Sequence, residues 1–359
     1  MINFAVGPVQ SFEETLSLGA EQVPYFRTPE FSEVMKENER LFLKCVHAPA
    51  KSRAVFVTGS GTASMEAVVM NVLKPTDKAL VVDGGSFGHR FLRLCELHGV
   101  PATAIALEPG RALTEDDLAP YKGAGYTAFL VNLGETSTGV LYDIGLIGSF
   151  CREQGLALIV DAVSSFLADD LDMEACGAVA VVTGSQKALA LPPGLSLIAL
   201  SPEGVRRVEQ ADVRCMYFDL ADALKNGARG QTPFTPAVGI LLQLNARLRQ
   251  IDATGVGAER SRIANLARDF RERIAEFPFS LFAQSPSNAV TSLWTGDIPA
   301  SRVVGALKDD YGIWVCPNGG DLAEKIFRVG HVGNLTKADN DRLFDALTDM
   351  RDRGLLQGC

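Results

Sequence analysis

Residues 156–200 read "LALIVDAVSSFLADDLDMEACGAVAVVTGSQKALALPPGLSLIAL", and this stretch decides the fold. It holds three short apolar runs, "LALIVD" (156–161), "VAVVT" (179–183) and "SLIAL" (196–200), each too short for a helix and rich in β-branched or aliphatic residues. Their hydrophobic residues are consecutive rather than alternating, which fits strands covered on both faces. Two charges stand out against that background. Asp161 closes the first run, and Lys187 is the only charged side chain between Glu174 and Glu203.

Working back toward the N-terminus, the same texture continues. "RAVFV" (53–57), "ALVVD" (79–83), "ATAIA" (102–106) and "AFLVN" (128–132) read as strands, making seven in all. Between them "ASMEAVVMNVL" and "FGHRFLRLCELHG" carry helical spacing, the second ending at Gly99. This alternation predicts an α/β fold with a mostly parallel, seven-stranded sheet. Residues 201–236 are harder to read; Arg214 to Phe218 and "KNGARGQTPFTP" (225–236) look like a long connection that could carry site or interface residues. Beyond about residue 240 come longer charged amphipathic helices, such as "RSRIANLARDFRERIAEF", and short strands near 289–294 and 312–316. "TKAD" announces a helix over 337–352 with an apolar stripe of Leu343, Phe344, Leu347 and Met350. The expected organisation is an N-terminal segment, 1–20, lining the active site; a large domain, 21–240; and a small α+β domain, 241–359.

Composition narrows the function classes. The 359-residue chain is 47% hydrophobic and can bury a large core, and its 43 acidic against 34 basic residues give a net charge of −9. That balance argues against general affinity for nucleic acid or anionic membranes and points to small-molecule partners. The start, "MINFAVGPVQSFEETL", has no basic n-region, and no long uncharged apolar window predicts a membrane span. Seven cysteines at long spacings, without CxxC, read as reduced thiols in a cytoplasmic protein with no metal site.

In parallel α/β sheets ligands gather at the carboxyl ends of the strands. After the strand at 53–57 comes "TGSGTAS", whose backbone N–H groups and helix start can hold a phosphate; the alternative is a tight βα turn that uses Gly and Ser for its geometry alone. Asp161 is a partly desolvated carboxylate that needs a cation or donor; the alternative is a helix N-cap or a turn residue. Lys187, with no charged neighbour, is placed to lose charge and become a nucleophilic amine; the alternative is a snorkelling surface lysine. A phosphate loop, a buried acid and an isolated lysine together match what pyridoxal 5′-phosphate requires. Phe87, in "GGSFGHRF", offers a ring to stack on the pyridine, or else a core phenylalanine. Thr136 and Ser137 follow another strand, where a hydroxyl could reach the ring oxygen. Arg328 in "IFRVGHVGN" suits bidentate capture of a carboxylate, or else an interdomain ion pair.

With these residues in view, the chain resembles the class V aminotransferases, fold-type I pyridoxal-phosphate enzymes, and most closely the alanine–glyoxylate, serine–pyruvate and 2-aminoethylphosphonate–pyruvate branch. The resemblance runs from "VGPV" through "TGSGTASMEAVVMNVL", "GETSTGVL", "IVDAVSSF", "TGSQKALALPPGLSLI" and "TPFTPAVGILLQL" to "FRVGHVGN". It implies transfer of an amino group from a small amino acid or a 2-aminoethylphosphonate-like amine to pyruvate or glyoxylate. It also implies a homodimer with active sites at the subunit interface. Under it the Schiff-base lysine falls on Lys187 and the pyridine-nitrogen aspartate on Asp161. Ser60, Gly61, Thr62 and Gln186 resemble the phosphate site, and Thr235 a phosphate contact lent by the neighbouring subunit. Phe87, Thr136 and Val163 complete the cofactor pocket, with Gly7, Arg27 and Arg328 on the substrate side. Phe26-Arg27 before "TPEF" and Phe87 in place of Trp or Tyr depart from many relatives. The same resemblance admits a lyase or a cysteine desulfurase as the alternative. A desulfurase needs a mobile cysteine, for which Cys316 in "IWVCPNGG" is the candidate, and its place after an apolar run favours a packed thiol.

Overall fold

All seven expected strands are present in the structure, a computed structural model that describes residues 1–358. They are β1 (Arg53–Thr58), β2 (Ala79–Asp83), β3 (Ala102–Ala106), β4 (Ala128–Asn132), β5 (Ala157–Asp161), β6 (Ala178–Gly184) and β7 (Leu195–Leu200). They form one sheet in the order β1-β7-β6-β5-β4-β2-β3. Every pairing from β6 through β3 is parallel, while β7 runs antiparallel to both β1 and β6. The switch follows from the short loop between β6 and β7, which cannot make the crossover that a parallel neighbour requires.

The consecutive hydrophobic residues of the strands divide between two cores. On β4, Phe129 and Val131 enter one cluster while Ala128 and Leu130 enter the other. On β5, Leu158 and Val160 separate from Ala157 and Ile159 in the same way. Helices Gly61–Val72 and Ser86–Leu97 cover one face; Pro29–Cys45 and Val238–Thr254 pack with the other. Burying both faces explains why these strands lack polar alternation.

A five-stranded second sheet is built from Ile2–Phe4, Ile313–Pro317, Ile326–Gly330, Val290–Trp294 and Ser280–Leu281, in that order. The N-terminal strand lies parallel to Ile313–Pro317, so both chain ends contribute to this layer. Helix Lys337–Asp352 starts with the expected capping box: Asp339 Oδ2 accepts the Thr336 N–H and hydroxyl at 2.8 Å each. Its Leu343, Phe344, Leu347 and Met350 are buried in the third core cluster.

One expectation needs correction. The stretch 201–236, hard to read from the sequence, contains helices Pro202–Glu209 and Leu220–Gly227, capped by Ser201 and Asp219, and the second takes up the start of the expected connection at 225–236. Each is eight residues long, too short to impose a helical period on the sequence. Six cysteines are free thiols, and Cys359 lies outside the described residues. Among the described residues no helix is long and apolar enough to cross a membrane, and no three His, Cys, Asp or Glu side chains are grouped to share a metal ion.

Candidate active site

Asp161 and Lys187 meet because their strands are neighbours. Asp161 is the last residue of β5 and pairs with Asn132 of β4 on one side and Val182 of β6 on the other. Its carboxylate is buried and takes a single side-chain hydrogen bond from the protein, the Val163 N–H at 2.8 Å. Burial pushes its pKa up to about 6, assisted by the charge of Glu135 and opposed by the Val163 N–H, Lys187 and Arg90.

Lys187 follows β6 in a tight turn. Ser185 fixes that turn: its Oγ donates to the Pro192 carbonyl at 2.7 Å, and its carbonyl accepts the Leu191 N–H. The lysine is 7% exposed, and burial together with the Arg328 guanidinium brings its pKa down to about 8. Gly7 explains how the stem fits. A Cβ there would lie 2.8 Å from Lys187 Cδ and 2.9 Å from Cε, and the backbone at Gly7 has φ +131°. Only glycine meets both conditions, so the N-terminal segment lies directly on the lysine. The snorkelling alternative for Lys187 is thereby excluded.

The loop after β1 lies against the segment after β5. A Cβ on Gly61 would come within 2.6 Å of Val163 Cγ2. Helix Gly61–Val72 begins here with Ser60 at the N-cap, but no side chain caps it and its first turn carries no acidic residue. The Ala63 N–H is taken by the Ser60 carbonyl, and the Gly61 and Thr62 N–H groups remain available to an external anion. Gln186 has a buried Oε1 without a partner. Thr62 Oγ1 accepts from Arg90 Nη1 at 2.8 Å, and the Arg90 guanidinium sits 4.7 Å from the centroid of the Phe87 ring.

Arg328 lies on strand Ile326–Gly330, opposite Cys316 and Ser292 on the flanking strands. Its Nη1 donates to the Thr136 carbonyl at 3.0 Å and its Nη2 to the Pro317 carbonyl at 2.7 Å, while Nε is buried without a partner. Two carbonyls thus orient the guanidinium and leave the rest of its five donors for a ligand. No carboxylate pairs with it, so the interdomain ion pair that the sequence left open is not formed. Burial lowers its pKa, but an arginine stays charged.

The remaining candidates are more peripheral. Arg27 donates to Gln231 Oε1 and to the carbonyls of Thr232 and Pro233, so it secures that segment instead of joining the Arg328 group. Thr235, in the same segment, is exposed. Cys316 Sγ accepts the Val6 N–H at 3.4 Å from within its strand, which makes it a packed thiol.

Two residues escaped the sequence reading. Glu135 is fully buried and gathers hydrogen bonds from Asn132, from the N–H groups of Phe87 and Gly88, and from Ser137. Arg90 links Phe87 to Thr62. The available signal was local in each case: an acid among small residues after β4, and a cation in the first turns of a helix, where its charge opposes the helix dipole.

These residues fit pyridoxal phosphate. The open helix start, the Asp161 carboxylate with one protein donor, and the buried amine beneath Gly7 would supply its phosphate, ring-nitrogen and aldehyde contacts.

Known proteins resemble this chain in sequence and fold. The profile of the family described as aminotransferase class-V matches residues 20–333. The soluble hydrogenase 42 kDa subunit of Anabaena cylindrica is 33% identical over 93% of this chain and 88% of that protein. The L-aspartate–glyoxylate aminotransferase of Paracoccus denitrificans is 31% identical over 82% of this chain and 77% of its own. The crystal structure of alanine–glyoxylate aminotransferase from Nostoc superposes with a TM-score of 0.91 at 25% identity, covering 98% of this chain and 95% of that one.

Proposed function

The chain belongs to the class V aminotransferase family and is a pyridoxal 5′-phosphate-dependent transaminase, and we infer that it moves the amino group of a small amino acid or a 2-aminoethylphosphonate-like amine to pyruvate or glyoxylate. The observation that carries this reading is the Lys187 amine, buried between the Asp161 carboxylate and the Arg328 guanidinium with its charge weakened by both burial and Arg328.

When bound, the cofactor supplies an electron-accepting ring that takes up the charge left when a bond to the substrate's reacting carbon breaks. Everything else falls to the chain. Asp161 accepts a hydrogen bond from the pyridine nitrogen and holds the proton there. Phe87 presents a flat apolar face to the ring, with Val163 closing the pocket, and the Thr136 hydroxyl serves the ring oxygen. Ser60, Gly61, Thr62 and Gln186 donate to the phosphate, joined by Thr235 of a neighbouring subunit in a homodimer. Arg27 acts on the substrate only indirectly, by securing residues 231–233, which lead into Thr235. Arg328 holds the substrate carboxylate, while Gly7 leaves room for the lysine. Lys187 Nζ, whose lowered pKa of about 8 makes the neutral amine far more accessible than in a free lysine, takes a proton from the reacting carbon and returns one to the cofactor side.

We further propose that residues 1–20 line the site, that 21–240 and 241–359 form the large and small domains bridged by helix Val238–Thr254, and that the enzyme works in the cytoplasm. The test is direct. Purified enzyme loaded with pyridoxal phosphate is given glyoxylate or pyruvate with alanine, serine, aspartate or 2-aminoethylphosphonate in turn, and glycine or alanine formation is measured. At least one pair is expected to turn over, and no product from any pair would sink the reading.

A further inference from the structure

Two positive features converge beside the Ser60–Thr62 loop. Helix Gly61–Val72 begins without a side-chain cap or an acidic residue in its first turn. Helix Ser86–Leu97 begins nearby, but its N–H groups at Phe87 and Gly88 are already spent on Glu135. Arg90 adds a full charge in the first turns of that second helix, where the dipole disfavours a cation. Its guanidinium donates to Thr62 Oγ1 and covers the Phe87 ring, and among the described residues no carboxylate oxygen lies within 4.0 Å of it. The acids in its neighbourhood are committed elsewhere. Glu135 is saturated by N–H donors, and Asp161 feels Arg90 only as a minor, more distant charge.

A half-buried arginine with one neutral acceptor and no counter-ion is under-neutralised, and a dianionic phosphate on the adjacent loop supplies what it lacks. We propose that Arg90 is the cation that recognises the cofactor's phosphate, bracing Phe87 from behind with the same planar group. This rests on the reading of Ser60–Thr62 as the phosphate loop. It assigns one residue two tasks: charge recognition at the phosphate, and support of the aromatic face through cation–π contact. The link through Thr62 couples them, because a guanidinium fixed against Phe87 also fixes the hydroxyl at the helix start.

The tasks separate when apoenzyme is titrated by calorimetry with pyridoxal 5′-phosphate, with pyridoxal and with inorganic phosphate. In Arg90→Met, which keeps bulk behind Phe87, affinity for pyridoxal phosphate and for inorganic phosphate should fall about 10- to 100-fold, the loss of one charge-assisted contact, with pyridoxal unchanged. Arg90→Lys, which keeps the charge and gives a second folded variant, should retain most of the preference for the phosphorylated ligand. Equal losses for pyridoxal phosphate and pyridoxal, or no loss for either, would overturn the inference. A wild-type protein that binds pyridoxal as tightly as pyridoxal phosphate would instead overturn the phosphate-loop reading beneath it.

Discussion

Glu135 and Asp161 are two carboxylates buried close to one another after adjacent strands, and the chain treats them in opposite ways. Glu135 receives N–H groups from Phe87, Gly88 and Ser137, the Asn132 amide and the Ser137 hydroxyl. Asp161 receives one N–H, from Val163, and burial raises its pKa to about 6. A carboxylate whose lone pairs are all met from within is a fastener: it joins the end of β4, the loop carrying Thr136 and the helix carrying Phe87. One left with a single donor is waiting for a partner that the chain does not provide. The difference separates a buried charge that holds the fold from one left open to a ligand.

Mutation can break or sharpen that contrast. The largest effect is expected on the open side at Lys187, also buried without an internal salt bridge. Lys187→Ala should lower turnover by at least about 10⁴-fold, since proton transfer and covalent attachment fall on one amine. Its thermal unfolding as apoenzyme should occur no lower than that of wild type, because burial already disfavours the charged amine. A variant retaining a tenth of wild-type turnover would refute its role.

On the closed side, Glu135→Ala should destabilise the apoenzyme by about 3–5 kcal/mol in urea unfolding, because it strands several buried donors at once. Glu135 would lose its standing as a fastener if that variant unfolded at the wild-type midpoint.

Asp161→Asn should cost turnover about 10²- to 10³-fold, comparable with loss of one preorganised electrostatic contact. Stability should move the other way. The folded pKa of about 6 lies above the ordinary 3.8, so folding binds the Asp161 proton more tightly than the unfolded chain does. The ionised group therefore weakens the fold above about pH 6, and the penalty disappears as pH falls below about 4. The apoenzyme of Asp161→Asn should gain up to about 3 kcal/mol at pH 7 and nothing at pH 4, measured by denaturant unfolding at both values. A loss of stability at pH 7 would place Asp161 among the fasteners.

Much of this was legible in the chain. The seven strands could be read because each is a short apolar run bounded by turn residues, and Asp161 and Lys187 because a charge at the edge of such a run is conspicuous. The helices at 202–209 and 220–227 were not, being too short for a period to emerge. Glu135 and Arg90 were passed over because their meaning lies in distant partners: Phe87 is 48 residues from Glu135, and Thr62 is 28 from Arg90. Nothing in the local sequence distinguishes a saturated carboxylate from a solvated one.

The sequence by itself determined the kind of sheet, the residues at its carboxyl edge and the chemistry they could share, because hydrophobic runs and their terminating charges are local properties of the chain. Only the tertiary structure decided which of those charges are satisfied. That question is settled by strand order and by the loops that strand order brings together, and a buried charge is defined by its neighbours in space.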